Sequence, residues 1–187
     1  SDSNVFCLLD HPIRELEGRT LGIVGLGDLG SRVATIGRAF GMSVIVAARP
    51  GSPPDGDRLA LEDFLAAADV VSLHCPLTSE TRHMLSTEQF HLMKNDAILI
   101  NTARGAIVDP LALAAALRNG QIGGAGMDVL DPEPPPLDHP LLAYDIPNLI
   151  VTPHNAWGSQ ESRQRLVYQI AGNLAAWCEG KPVNRVN

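Results

Sequence analysis

Three residues raise the chemical question: Arg104, Glu133 and His154. They lie in NTARGAIVD (101–109), GMDVLDPEPP (126–135) and TPHNAW (152–157). An arginine stays charged at any working pH. Its planar fork matches a carboxylate, or a carboxylate and a carbonyl oxygen together. A histidine titrates near neutrality and can pass a proton to or from a hydroxyl. A glutamate bonded to the second imidazole nitrogen orients the ring and raises its proton affinity. The set suits reduction of a 2-oxo acid, with a protonated histidine donating as cofactor hydride reaches the keto carbon. Each residue also has a plain structural alternative. Arg104 can pair with Asp109, Glu133 can be solvated among its prolines, and His154 can be an ordinary loop histidine.

Spacing along the chain cannot bring these residues together, but topology can. Short runs rich in Val, Ile and Leu fall at 20–24, 44–47, 70–74, 97–101, 124–127 and 149–152. Amphipathic, Ala-rich stretches at 29–40, 61–67, 87–93 and 111–118 separate them. Continuous apolar strands indicate a sheet covered on both faces. Their alternation with helices predicts an α/β fold, a doubly wound parallel sheet of Rossmann type. Each of the three motifs begins at the carboxyl end of a strand, the edge where open α/β sheets bind ligands. The segment 131–136 is Pro-rich and non-helical. A last helix is expected over about 160–178, with Leu166, Ile170, Leu174 and Trp177 on one face.

A second constellation precedes these motifs. Gly25-Leu26-Gly27-Asp28-Leu29-Gly30 follows a strand and opens a helix. In that setting Gly25 makes the tight turn, Gly27 admits a pyrophosphate and Gly30 allows close helix–strand packing. The helix N-terminus offers amides and a positive dipole end. Ser31 can add a hydroxyl or simply lie on the surface. The ribose discriminator is expected at the end of the next strand, yet VIVAARPG (44–51) ends in Ala48 and Arg49. Without a carboxylate there is no repulsion of a 2′-phosphate, and the guanidinium can pair with one. The alternative is a surface arginine. Asp55 and Asp57, beyond Pro53-Pro54, look badly placed to replace the acid.

The bulk properties exclude several classes. The chain has 187 residues, 45% hydrophobic, with a net charge of −7. That balance argues against phosphate-backbone binding to nucleic acid. No apolar run approaches membrane-spanning length and no signal peptide is visible, so no membrane partner is expected. Cys7, Cys75 and Cys178 are widely spaced, which fits reduced thiols and a cytoplasmic location. His74, His83, His91 and His139 lack metal-ligand spacing and are taken as structural; no metal site is expected.

The motifs together resemble the nucleotide-binding domain of the D-isomer-specific 2-hydroxyacid dehydrogenases. The stretches that carry this are LEGRTLGIVGLGDLG, ADVVSLHCPLTSETRHML, DAILINTARGAIVDPLAL, GAGMDVLDPEPP and NLIVTPHNAW. Within the family the chain is most similar to the glycerate dehydrogenase, or hydroxypyruvate/glyoxylate reductase, branch. FCLLDHPIRELEGRTLGIVG and the tryptophan of HNAW point there. The resemblance implies Arg104 as substrate ligand, Glu133 as the support of the histidine and His154 as acid/base. It implies cofactor contacts at Asp28, Leu29, Cys75 (through its backbone), Pro76, Thr102, Ala103, Arg104 and Asp128. Trp157 either lines the substrate pocket or packs. The implied cofactor is NADP or NAD, with NADPH preferred, since NADPH-using reductases of the family often carry a small and then a basic residue at positions 48 and 49. The implied substrate is hydroxypyruvate or glyoxylate, and the implied assembly a homodimer.

Family members usually exceed 300 residues and place a second domain before this one. The expected organisation is therefore a dinucleotide-binding domain over 1–153. The segment 154–187 would be a return helix toward an absent substrate domain, giving cofactor binding without efficient turnover. Two alternatives are a nucleotide-sensing, corepressor-like regulator of the same superfamily and a methyltransferase with a similar glycine loop.

Overall fold

The structure is a computed structural model that describes residues 13–185. Cys7 and the His11-Pro12 break lie outside the described residues. The chain divides after Val151 into two compact units.

The first unit is a seven-stranded parallel sheet in the order β3-β2-β1-β4-β5-β6-β7. Its strands are β1 (Thr20–Val24), β2 (Ser43–Ala47), β3 (Arg58–Leu59), β4 (Val70–Leu73), β5 (Ile98–Asn101), β6 (Gly124–Met127) and β7 (Leu149–Val151). Four helices cross between them: α1 (Asp28–Ala39), α2 (Leu61–Ala67), α3 (Thr87–Leu92) and α4 (Pro110–Arg118). The chain winds outward from β1 to β3, then reverses and fills the other half from β4 to β7. Where the winding reverses, between β1 and β4, the loops diverge and leave a crevice at the carboxyl edge.

Alternation along β1 divides the core between the two faces of the sheet. Leu21 and Ile23 pack with Ala34 of α1 and Met42. Val24 joins the larger cluster that includes Phe64, Leu65, Phe90, Leu99 and Leu113. The parallel sheet expected from the apolar runs is the one observed, with element ends moved by one residue or so, though its edge strand β7 leaves Ile150 exposed. The short strand β3 was not anticipated. Two residues beyond a Pro-Pro-Asp-Gly turn show no periodicity, yet Arg58 and Leu59 pair with Val46 and Ala47.

The start of α4 follows from side-chain chemistry. Asp109 caps α4, its Oδ1 accepting from the amides of Leu111 at 2.9 Å and Ala112 at 3.1 Å, with Pro110 in the first turn. Such a cap is worth about 1 kcal/mol.

The second unit contains α5 (Gln160–Cys178), capped by Ser159, whose Oγ accepts from the Ser162 amide at 3.1 Å. Leu166, Ile170, Leu174 and Trp177 share one face and are all exposed. No helix among the described residues is long and apolar enough to cross a membrane. The described residues also contain no group of three or more His, Cys, Asp or Glu able to hold a metal ion.

Candidate active site

The turn between β1 and α1 is built around close backbone packing. A Cβ placed on Gly30 would stand 2.1 Å from the carbonyl oxygen of Gly25. Any side chain there would push the helix off the strand. At Gly27 nothing lies within 4 Å of an added Cβ, so the turn is open toward the solvent. Gly27 is also the N-cap of α1 and has no side chain to occupy the first amides. The first hydrogen bond of the helix runs from the Ser31 amide to the Gly27 carbonyl at 2.9 Å. The amides of Asp28, Leu29 and Gly30 therefore have no acceptor within the helix. An open, glycine-lined turn at a helix N-terminus with amides left over by the helix fits a pyrophosphate.

Beside the turn lies a cleft of about 480 Å³ lined by Gly25, Gly27, Ala48, Arg49, His74 and Cys75, among others. It collects the carboxyl ends of β1, β2 and β4. Ala48 and Arg49 follow β2 directly, and Arg49 makes no ion pair among the described residues. Cys75 is 6% exposed, and burial pushes its thiol up from the ordinary value, so the sulfur stays protonated. Pro76 is exposed at the same edge. His74, taken as structural from the sequence, also lines the cleft. Its Nε2 lies 2.9 Å from Ser72 Oγ, and burial lowers its proton affinity, which keeps the ring neutral at pH 7. Asp55, judged from the sequence badly placed to replace the ribose acid, lies with Arg49, Ser52, Pro53 and Arg58 around an adjoining cavity of about 410 Å³.

Along the edge, β5 ends in Asn101, a fully buried polar residue. Its Oδ1 accepts the Ala103 amide at 3.0 Å, and its Nδ2 donates to the Arg104 carbonyl at 2.9 Å. One amide side chain thereby holds both ends of the Ala103-Arg104 turn and presents Arg104, with Thr102 exposed beside it. The guanidinium donates to the Ala103 carbonyl at 2.6 Å and makes no ion pair among the described residues. The alternative pairing with Asp109 does not form, because that carboxylate caps α4. The next residue, Gly105, packs so tightly that an added Cβ would lie 2.1 Å from the Leu130 carbonyl carbon and oxygen. The loop after β6 is thus seated on the Arg104 loop.

That second loop carries Asp128 and Glu133. Asp128 is 5% exposed, and its amide donates to the Asn101 carbonyl at 2.9 Å. Glu133 closes a local turn, its Oε1 accepting the Leu130 amide at 3.0 Å. His139, 4% exposed, ties the far end down. Its Nδ1 accepts from the Leu141 amide at 3.2 Å while Nε2 faces the Asp131 carbonyl at 3.3 Å. This arrangement makes Nδ1 the acceptor and Nε2 the donor side of the ring.

His154 belongs to the second unit and is exposed, in the left-handed region at φ +50°. Its amide donates to the Thr152 carbonyl at 3.0 Å, and its own carbonyl accepts the Trp157 indole N–H at 2.9 Å. Trp157 is therefore a clamp on the histidine backbone, a role the sequence left open. Asn101, Arg58 and the cleft position of His74 were missed. The signal for Asn101 was a lone amide ending an otherwise apolar strand.

The family described as D-isomer specific 2-hydroxyacid dehydrogenase, NAD binding domain, matches residues 8–156. The chain is 49% identical over 184 residues to a glycerate dehydrogenase of Methylorubrum extorquens, a match covering 98% of this chain and 58% of that one. It is 47% identical over 187 residues to a glyoxylate reductase of Aeropyrum pernix, covering 95% and 55% respectively. The fold superimposes on a solved acyclic imino acid reductase, Bsp5, in complex with NADPH and D-Arg. That match has a TM-score of 0.85 at 32% identity and covers 98% of this chain and 59% of that one. The chain thus spans somewhat over half the length of the proteins it matches.

Proposed function

Because the chain belongs to the D-isomer specific 2-hydroxyacid dehydrogenase family, we propose that it serves an NAD(P)H-dependent reductase of small 2-oxo acids. Hydroxypyruvate and glyoxylate are the leading substrates, in keeping with the glycerate dehydrogenase and glyoxylate reductase it resembles. The observation that carries the proposal is Arg104. A guanidinium without a carboxylate partner among the described residues, on a backbone turn held by the buried Asn101 at the carboxyl edge of the sheet, is a ready grip for a substrate anion.

The glycine turn and the α1 amides would hold the pyrophosphate of the nucleotide, and Cys75, Pro76, Thr102, Ala103 and Asp128 would supply further contacts to it. A bound nicotinamide supplies the hydride. Arg104 aligns the carboxylate of the 2-oxo acid. His154 gives its proton to the keto oxygen as the carbon is reduced, leaving a 2-hydroxy acid, and takes it back in the reverse direction. Glu133 supports and orients the histidine in the working enzyme. Arg49 favours NADPH over NADH.

We further assign a homodimer and a cytoplasmic location. The exposed Leu137, Tyr144 and Ile150 of the first unit suit contact with a second copy. A monomer in sedimentation would remove that assignment.

The direct experiment is calorimetric titration of the purified chain with NADPH and with NADH. Binding of both is expected, with NADPH tighter. Absence of nicotinamide nucleotide binding would overturn the proposal. In an active reductase containing this chain, Arg104→Gln should lower kcat/KM for hydroxypyruvate at least about tenfold to a hundredfold, the range for hydrogen bonds to charged groups.

A further inference from the structure

The end of β2 is flanked by two arginines, and only the first was visible as a candidate. Arg58 opens β3, opposite Val46 in the parallel register. The Ala48 amide donates to the Leu59 carbonyl at 2.7 Å, which fixes β3 against the point where β2 ends. From there the half-buried Arg58 side chain runs along β2. Its Nη1 stands 3.4 Å from the Ala47 carbonyl, the outer limit of a hydrogen bond.

Arg49 and Arg58 line the nucleotide cleft together and also line the adjoining 410 Å³ cavity with Ser52. The Ser52 amide donates to the Arg49 carbonyl at 2.9 Å, which turns this loop over the cavity. Neither arginine makes an ion pair among the described residues. Two carboxylates share these walls: Asp55 in the cavity and Glu80 in the cleft. Side-chain hydrogen bonds from Thr78 and Ser79 hold Glu80 below the ordinary carboxylate range. Glu80 makes no ion pair with either arginine.

The two guanidiniums outnumber the single Asp55 carboxylate on this cavity, so its lining favours a further anion. A phosphate dianion has the charge and the oxygens to accept from both guanidiniums and from a hydroxyl. We propose that Arg58 is a second specificity-determining residue, gripping the ribose 2′-phosphate of NADPH jointly with Arg49. The inference rests on the assignment of this cleft to a nicotinamide nucleotide. It moves cofactor choice from one position after β2 to a pair, half of it on a strand formed after a Pro-Pro turn.

The test is binding rather than turnover. The purified chain and its Arg58→Gln, Arg58→Lys and Arg49→Gln variants are titrated with NADPH, NADH, 2′,5′-ADP and 5′-AMP. Arg58→Gln is expected to weaken NADPH and 2′,5′-ADP by about tenfold or more, as for one lost charged hydrogen bond. NADH and 5′-AMP should stay within about twofold, while Arg58→Lys should recover part of the loss because it restores the charge without the fork. Loss of NADPH affinity in Arg49→Gln but not in Arg58→Gln overturns the role of Arg58 and leaves the cleft assignment standing. Equal weakening of all four ligands by Arg58→Gln also overturns it, since the residue would then act only through the fold of β3. If the parent chain binds 2′,5′-ADP no better than 5′-AMP, the cleft assignment itself fails for the phosphorylated cofactor.

Discussion

The indole N–H of Trp157 donates to the carbonyl oxygen of His154 at 2.9 Å, across a turn in which His154 occupies the left-handed region. A β-carbon residue at φ +50° is uncommon and needs support from its surroundings. Here the support comes from a ring three residues ahead. Trp157→Phe keeps the bulk and removes the donor. In an active enzyme containing this chain, kcat for hydroxypyruvate reduction should fall about fivefold to tenfold, the scale of one hydrogen bond. NADPH affinity measured by calorimetry should be unchanged. Unaltered kcat would show that the turn holds without the indole.

Placing an acid at the end of β2 should reverse cofactor choice. Ala48→Asp puts a carboxylate beside Arg49 in the cleft, where it can accept from a ribose 2′-hydroxyl and repel a 2′-phosphate. The ratio of NADPH to NADH dissociation constants should rise at least about tenfold, roughly one charge–charge contact near a protein surface. An unmoved ratio would place the discriminator elsewhere, with Ser52 the next candidate.

Asn101→Ala should disable the Arg104 turn without abolishing folding. It removes two hydrogen bonds from a fully buried position and leaves the Ala103 amide and the Arg104 carbonyl without that partner. Chemical denaturation should show a loss of about 2–4 kcal/mol, from paired groups stranded out of water. The KM for hydroxypyruvate should rise in step, because Arg104 is no longer presented. A stable variant with normal KM would mean that Arg104 is positioned by something else.

Acid sensitivity should be traceable to Asp69. Burial raises its carboxyl affinity for protons, but the Thr20 amide, Lys94 and Arg19 outweigh this and leave it below the ordinary aspartate value. Lys94 Nζ lies 2.9 Å from Oδ1, and Arg19 Nη1 lies 3.6 Å from it while also reaching Asp96 at 3.8 Å. A carboxyl with a depressed folded value stabilises the fold above its unfolded value and loses that contribution as pH falls through the folded one. Asp69→Asn should therefore lower Tm at pH 7 and flatten the decline of Tm below about pH 4, the ordinary range for aspartate. An unchanged acid slope would assign the sensitivity to another carboxyl.

The sheet and its winding were legible because apolar runs and amphipathic stretches alternate with little interruption. The glycine turn was legible because its spacing has a mechanical reason, expressed in the Gly30–Gly25 contact. What escaped was short or depended on distant partners. Arg58 sits on a two-residue strand, too brief for any period. Asn101 was quoted within its motif, but its two acceptor and donor contacts appear only once the turn is folded. The alternative of an Arg104–Asp109 pair was open in the sequence. It closes because the amides of α4 occupy the carboxylate.

The seating of Gly105 on the Leu130 carbonyl makes a ruler of this edge. The loop that offers Arg104 and the loop that bends through Glu133 cannot slide apart separately, since no atom separates their backbones. The interval between Arg104 and the acidic turn is a dimension of the fold, inherited together with the glycine.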